Sequence, residues 1–466
     1  MKQGSLIFIL IYSGLTNASN CEPLNSVVQN LILNQLPSAH VGIYAINPKN
    51  GQVIIDLNSG HHFIPASNLK IFSSYAALKV LGPSFQYSTS LSSANDDWVL
   101  KFSGDPAFTS KHLAQLFIDA KKNPAVSSII QGDLVVDDTL YQDGPYGIGW
   151  SNEDLQWGFG APVSALIIDE NTANLKIYPH KLNEPVTMKL QPPYFSNLKI
   201  NYNVRTASSA EAEKNCRLEV KAKENVYTFN GCWPIHLKAY PLQFAVTEPR
   251  FHLKTQLLTI LKEAGIKLKG DIVFKKTLTT HSDAIFASHQ SPPLSLLLKK
   301  VLTDSNNLYA NSITKMLDVH RLQKGTLVSG VNVIENTIES IGLKSKQMHL
   351  VDGAGLSFYN KLTPKLIVDL LEHIYLDSKL RDIFYNNLAV AGERGSLEYR
   401  MPSHLLKGRV FAKTGTLTHV VNLSGYIRTQ NGEDLIFSIL INNATDKRVK
   451  IDKFITSVTE RLVTDY

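Results

Sequence analysis

The 466-residue sequence predicts an α/β (α+β) protein in which two helix-rich stretches enclose a long β-rich block. Three observations carry that prediction. Apolar residues Leu69, Phe72, Ala76, Ala77 and Val80 recur at helical spacing after Pro65-Ala66-Ser67 and stop at Gly82-Pro83. Between about 90 and 285 the period changes to two. There, 98–104, 133–138, 174–179, 186–191 and 197–204 read as short alternating strands between frequent turns, with one helix near 251–264. Helical spacing returns from Leu294 to about His320, and the chain closes on three strand-like runs (409–417, 423–429, 434–442) and a last amphipathic stretch.

At the N-terminus, Lys2 precedes an apolar run from Leu6 to Leu15 and the small residues Thr16 and Ala18. The run is too short to span a bilayer and fits a signal peptide, residues 1–18, cut after Ala18. Export to the periplasm or the cell exterior is therefore expected. Ser19-Asn20 before Cys21 is not the small-residue pattern of a lipid-anchored terminus. No other segment reaches ~18 uninterrupted apolar residues, so no transmembrane segment is expected. Residues 40–57 read as a hairpin around Asn47-Pro48-Lys49-Asn50-Gly51. Asp352-Gly353-Ala354-Gly355-Leu356-Ser357 makes a Gly-rich turn before a helix near 363–375. In the last stretch Ile451, Phe454, Ile455, Val458 and Leu462 share a helical face, suited to packing on a sheet or to peripheral membrane contact.

A chain of this length exceeds one ordinary core and predicts two or three domains. The net charge of +7 and pI near 9.0 suit a mildly basic surface or an anionic cell-surface polymer. No Lys/Arg-rich run with interleaved aromatics accompanies them, so nucleic acid is not an expected partner. Of three cysteines, Cys216 and Cys232 are close enough to close a small loop in an oxidising compartment. There is no CxxC or HExxH, and the neighbours His61 and His62 point opposite ways on an extended segment. Neither a metal nor a cofactor is expected.

Chemistry is concentrated in three short motifs in a set order: Ser67-x-x-Lys70, Ser305-x-Asn307 and Lys413-Thr414-Gly415. None is persuasive alone, because Ser196–Lys199 and Ser312–Lys315 also match SxxK and Ser93–Asn95 matches SxN. Ser196 sits in an alternating strand and Ser312 in mid-helix. Ser67 and Lys70, at i and i+3 of a helix start, can touch, so Lys70 can take the proton of the nucleophile Ser67. That requires a neutral lysine, its pKa lowered by burial or by a nearby cation such as Lys413. Ser305 can relay a proton to a leaving amine and Asn307 can pair with a substrate peptide group, although such residues also make N-caps and turns. Lys413 with the hydroxyls of Thr414 and Thr416 can bind a terminal carboxylate, and Gly415 lets a substrate backbone lie against the strand. The N–H groups of Ser67 and Thr416 would hold an oxyanion.

These motifs, with Phe102–Pro106, Ala161–Leu166, Pro292–Ser295 running into Ser305–Ala310, Asp352–Ser357 and Gly395–Leu397, resemble the class C low-molecular-mass penicillin-binding proteins, the D-alanyl-D-alanine carboxypeptidase/endopeptidase family. The likeness runs from about residue 60 to 425, with Asn306 where aspartate is common and Ala354 where serine is common. It implies a transpeptidase/serine β-lactamase-like domain, an antiparallel sheet flanked by helices, formed by 19–90 and 286–466 and split by an inserted region, 91–285, of one or two nested domains. It implies peptidoglycan peptides as substrates and β-lactam antibiotics as acylating inhibitors. Two other readings use the same first step or the same fold: a β-lactamase, for which no Glu-x-x-x-Asn loop lies between Ser67 and Ser305, and a catalytically silent peptidoglycan-binding protein. A Ser-His-Asp hydrolase lacks its GxSxG.

Overall fold

The computed structural model describes residues 24–466 except 125, 193–197, 215 and 276–283. The expected signal peptide, Cys21 and Ser196 lie outside the described residues. The longest apolar strands, Val420–Arg428 and Asp434–Asn442, are buried along almost their whole length, which is the signature of strands covered on both faces. They occupy the middle of a six-stranded antiparallel sheet ordered Ala389–Val390, Val410–Leu417, Val420–Arg428, Asp434–Asn442, His40–Asn47 and Gln52–Leu57. One face is covered by the terminal helices Leu24–Gln35 and Arg448–Thr464, through Val28, Phe454, Val458 and Leu462. The other packs on a helical layer that includes Lys70–Val80, Asn307–Leu322 and Pro364–Leu376. Phe72, Tyr75, Ile313, Leu317 and Leu366 are fully buried there, and each such side chain contributes roughly 1.5–3 kcal/mol of transfer free energy. The last amphipathic stretch is thus a helix packed on the sheet.

The sheet of the first and last segments is interrupted by strands that pair elsewhere. Ser88–Ala94 pairs antiparallel with Ala284–Gln290, so the chain leaves and re-enters the helical layer side by side. Both belong to a five-stranded mixed sheet with Asp97–Lys101, Leu134–Asp137 and Ile272–Phe274. That sheet is covered by two helices, Ser110–Lys122 and Pro249–Ala264. The first corrects the sequence expectation of one helix in this block. Its signals were present: Thr109 and His112 make a reciprocal capping box, and Leu113, Leu116, Phe117 and Ala120 form the buried face. A short helix, Ser209–Lys214, also belongs to the block. Two three-stranded sheets, one around Thr172–Tyr178 and one around Val226–Pro234, share a further core of Tyr227, Phe229 and Phe244. Cys216 and Cys232 are joined there as a disulfide.

One part of the inserted block returns to the helical layer. Tyr141, Val163, Ala165 and Ile167 are buried in the same apolar cluster as Phe72 and Ile313. The hydroxyl of Tyr141 lies 3.0 Å from Ser312 Oγ. Lys315, fully buried, pairs with Asp143 at 2.6 Å and donates to the carbonyls of Gly144 and Val163. The Ser312/Lys315 match to SxxK is therefore a buried strut between the block and its supporting helix. In the other SxN match, Ser93 and Ala94 end the strand Ser88–Ala94 and Asn95, at φ 56°, begins the hairpin turn.

Candidate active site

Ser67 enters the site on a short 3-10 turn, Ala66–Leu69, that leads into the helix Lys70–Val80. Ala66 before it is held at φ 46°, a left-handed conformation unfavourable for a residue with a Cβ. The approach of other backbone explains how the turn is held. A Cβ on Gly355, itself at φ +81°, would sit 1.9 Å from the Ala66 carbonyl oxygen, and one on Gly415 would sit 2.8 Å from that of Pro65. Only glycine lets the Gly-rich turn and the Val410–Leu417 strand close on the serine from two sides. Gly415 was expected to make room for a substrate backbone; its missing side chain faces the 65–68 turn.

Lys70 is completely buried, with Nζ 2.8 Å from Ser67 Oγ, 2.6 Å from Asn307 Oδ1 and 2.7 Å from the Ala354 carbonyl oxygen. Asn307 is oriented by its own Nδ2, which donates to the Phe159 carbonyl at 2.8 Å. Two of the three neighbours of Lys70 can only accept. A neutral amine has two N–H groups for them and one lone pair left for the Ser67 hydroxyl. Burial lowers the Lys70 pKa from 10.5 to about 7, against an opposing pull from Asp352. Of the two causes the sequence offered, burial or the charge of Lys413, the leading one is thus desolvation. Lys413 is itself buried and pushed well down, first by burial and then by Lys70 and Arg400.

The Gly-rich turn supplies a group the sequence reading did not assign. Asp352 accepts from Trp150 Nε1, the N–H groups of Gly355 and Ser357, and Asn360 Nδ2. Ser73 Oγ donates to the Gly353 carbonyl and Asn311 Oδ1 accepts from the Gly353 N–H. So fixed, the turn aims the Ala354 carbonyl at Lys70. Because the contact is made by backbone, alanine in place of serine at 354 removes nothing from it.

Ser305-Asn306-Asn307 divides its labour by residue. Asn306 caps the helix Asn307–Leu322 by accepting from the Tyr309 N–H, while Ser305, at φ 62°, turns its hydroxyl to Lys413 Nζ at 2.8 Å. Capping by Asn306 therefore coexists with the contacts of Ser305 to Lys413 and of Asn307 to Lys70. Lys413 Nζ also donates to the Thr414 carbonyl at 2.9 Å. Thr414 Oγ1 is engaged by Ser396 Oγ at 2.8 Å, a contact not foreseen, although Gly395–Leu397 had been singled out. On the Val410–Leu417 strand the carbonyl of Val410 accepts from Ala391, so even-numbered residues direct their backbone groups to that side. Pairing with Ala389–Val390 ends at Ala412, which leaves the N–H groups of Thr414 and Thr416 facing an open edge. A cleft of about 440 Å³ lies along this edge, lined by Ser67, Ser305, Asn307, Thr414 and Thr416, and by Asp154 and Phe159 of the inserted block. Asp154 and Phe159 carried no recognisable spacing signal in the sequence.

An antiparallel sheet sandwiched between helices, with a serine at the start of one helix and a buried lysine beside it, is the penicillin-binding class of serine hydrolase fold. The chain belongs to the D-Ala-D-Ala carboxypeptidase 3 (S13) family, whose profile matches residues 24–460. It is 28% identical over 456 residues to a D-alanyl-D-alanine carboxypeptidase, DacB, of Haemophilus influenzae, covering 95% of this chain and 94% of that one. It is 27% identical to a D-alanyl-D-alanine carboxypeptidase of Actinomadura sp. strain R39, over 87% of this chain and 78% of the relative. The crystal structure of penicillin binding protein 4 from Haemophilus influenzae superposes with a TM-score of 0.83 at 28% identity, covering 94% of this chain and 99% of that one.

Proposed function

We propose that Ser67 is the nucleophile of a D-Ala-D-Ala carboxypeptidase acting on peptidoglycan stem peptides, and on D-Ala-containing cross-links by the same chemistry. The observation that carries this is the contact of a buried, near-neutral Lys70 with Ser67 Oγ. Lys70 takes the hydroxyl proton as Ser67 Oγ attacks the carbonyl between two D-alanines. The N–H groups of Ser67 and Thr416 hold the oxyanion. Ser305 passes a proton to the departing D-alanine nitrogen, and the leaving carboxylate rests on Lys413 with Thr414 and Thr416. Asn307 serves Lys70 as well as the substrate peptide. Water then releases the acyl group and restores Ser67. A β-lactam enters the same path and stops at the acyl stage; a relative's crystal structure, from Haemophilus influenzae, is a complex with such a drug.

The test is intact mass spectrometry of the protein with excess penicillin, followed by peptide mapping. A stable single adduct on Ser67 is expected. No adduct with the drug unchanged would mean a silent binding protein, and no adduct with the drug consumed a β-lactamase. Lys413→Ala is expected to slow cleavage of peptides with a free terminal carboxylate far more than of their amides. The loss should be tenfold or more, because a charge-assisted contact of about 1.5–3 kcal/mol disappears. Equal loss on both, measured as kcat/KM, would show that the anchor lies elsewhere.

The remaining parts of the reading concern place and organisation. Export through residues 1–18 is supported by the disulfide Cys216–Cys232, which suits an oxidising compartment such as the periplasm. Among the described residues, no helix is long and apolar enough to cross a membrane. The catalytic domain and inserted region are best divided at the paired strands Ser88–Ala94 and Ala284–Gln290, a few residues outside 91–285.

A further inference from the structure

Three consecutive residues that carry side chains, Asp169, Glu170 and Asn171, have φ of 49°, 60° and 49°. Such a run is unfavourable for L-residues and persists only where the surroundings over-determine it. They do. Asn171 Nδ2 donates to the carbonyls of Pro162 and Leu166, and its own carbonyl accepts from the Val246 N–H. Asp169 accepts from the Ser110 N–H through Oδ1, and its N–H donates to the Phe108 carbonyl. Three segments of the inserted block, 108–110, 162–166 and Val246, thus hold this turn, and the residue at its apex reaches out of the block. Glu170 Oε2 accepts from Asn306 Nδ2 at 2.7 Å.

Asn306 has no freedom to turn away from that contact. Its Oδ1 caps Tyr309 N–H at 3.1 Å and its N–H donates to the Lys300 carbonyl at 3.0 Å, so Nδ2 must face Glu170. Its two neighbours are Ser305, which touches Lys413, and Asn307, which touches Lys70. We infer that Glu170 is a positioning residue for the acyl-transfer reaction: the inserted block uses it to clamp Asn306 and so fix where Ser305 and Asn307 point. The inference rests on the reading of Ser67 as nucleophile and adds to it a role for the insertion. It also explains asparagine at 306 in this chain. Aspartate would cap Tyr309 equally well but would set a second carboxylate against Glu170.

The contact can be reversed in polarity, which gives the test. Acylation rates with a fluorescent penicillin are measured for the wild type, E170A, E170Q, N306D and the double variant N306D/E170Q. All rates are read well below each variant's melting midpoint, so that lost stability does not imitate lost alignment. N306D and E170A are expected to fall roughly tenfold, as when a group that orients a functional residue is removed. E170Q should fall less than E170A, because its amide oxygen still accepts from Asn306. The double variant should recover most of the N306D loss, since the amide introduced at position 170 can donate to the carboxylate introduced at position 306. Wild-type rates in N306D, or no recovery in the double variant, would overturn the inference. Absence of any adduct in the wild type would instead overturn Ser67 as nucleophile, and the inference with it.

Discussion

Ser67→Ala is expected to abolish covalent labelling by penicillin and to reduce peptide cleavage to background. The hydroxyl is the one atom through which the acyl group can be held in the proposed path, and neither Lys70 nor Ser305 can replace it. Lys70 Nζ is enclosed by Ser67, Asn307 and Ala354, and Ser305 Oγ is turned to Lys413. The fold should survive, because Ser67 is only half-buried and Lys70 Nζ keeps its contacts with Asn307 Oδ1 and the Ala354 carbonyl. Penicillin binding without acylation should persist, since Lys413, Thr416 and Asn307 remain. Mass spectrometry of the variant, with a thermal melt beside it, checks both halves. An adduct at another residue in a folded Ser67→Ala protein would move the nucleophile and with it the whole assignment.

The sequence made the proposed catalytic residues legible because their chemistry fixes residue type at short spacing. Ser67 and Lys70 must be one helical turn apart, and the structure has them 2.8 Å apart. Strand Asp434–Asn442 was legible for a different reason, since burial on both faces leaves an almost continuous apolar run. What stayed hidden depends on backbone or on long-range placement. Ala354 acts through a carbonyl, which no side-chain motif records. Phe159 and Glu170 reach Asn307 and Asn306 from 148 and 136 residues away in sequence. Thr414, read as a carboxylate ligand, has its hydroxyl on Ser396, a partner set by the Gly395–Leu397 turn. Helix Ser110–Lys122 was missed because its apolar face is narrow and the surrounding strands dominate the pattern.

The second large effect is expected at Lys70, both in the size of the loss and in its pH dependence. Lys70→Ala should slow acylation by ~10³-fold or more, about 4 kcal/mol of barrier, as removal of one member of a nucleophile–base pair does. The wild type should show the matching titration. Burial lowers the Lys70 pKa from 10.5 to about 7, so the amine is protonated below neutrality and free above it. Acylation should therefore rise roughly tenfold per pH unit on the acid side and level off above about pH 7. The Lys70→Ala variant should lose that limb while keeping whatever residual rate remains. If Lys70 served only as a fixed positive charge, the sign would reverse and acylation would fall as pH rises through the same point. Stopped-flow acylation between about pH 5 and 9 distinguishes the two. A fall on the alkaline side would leave Ser67 to be activated by some other group, and among its described neighbours Lys70 is the one base in hydrogen-bond contact with it.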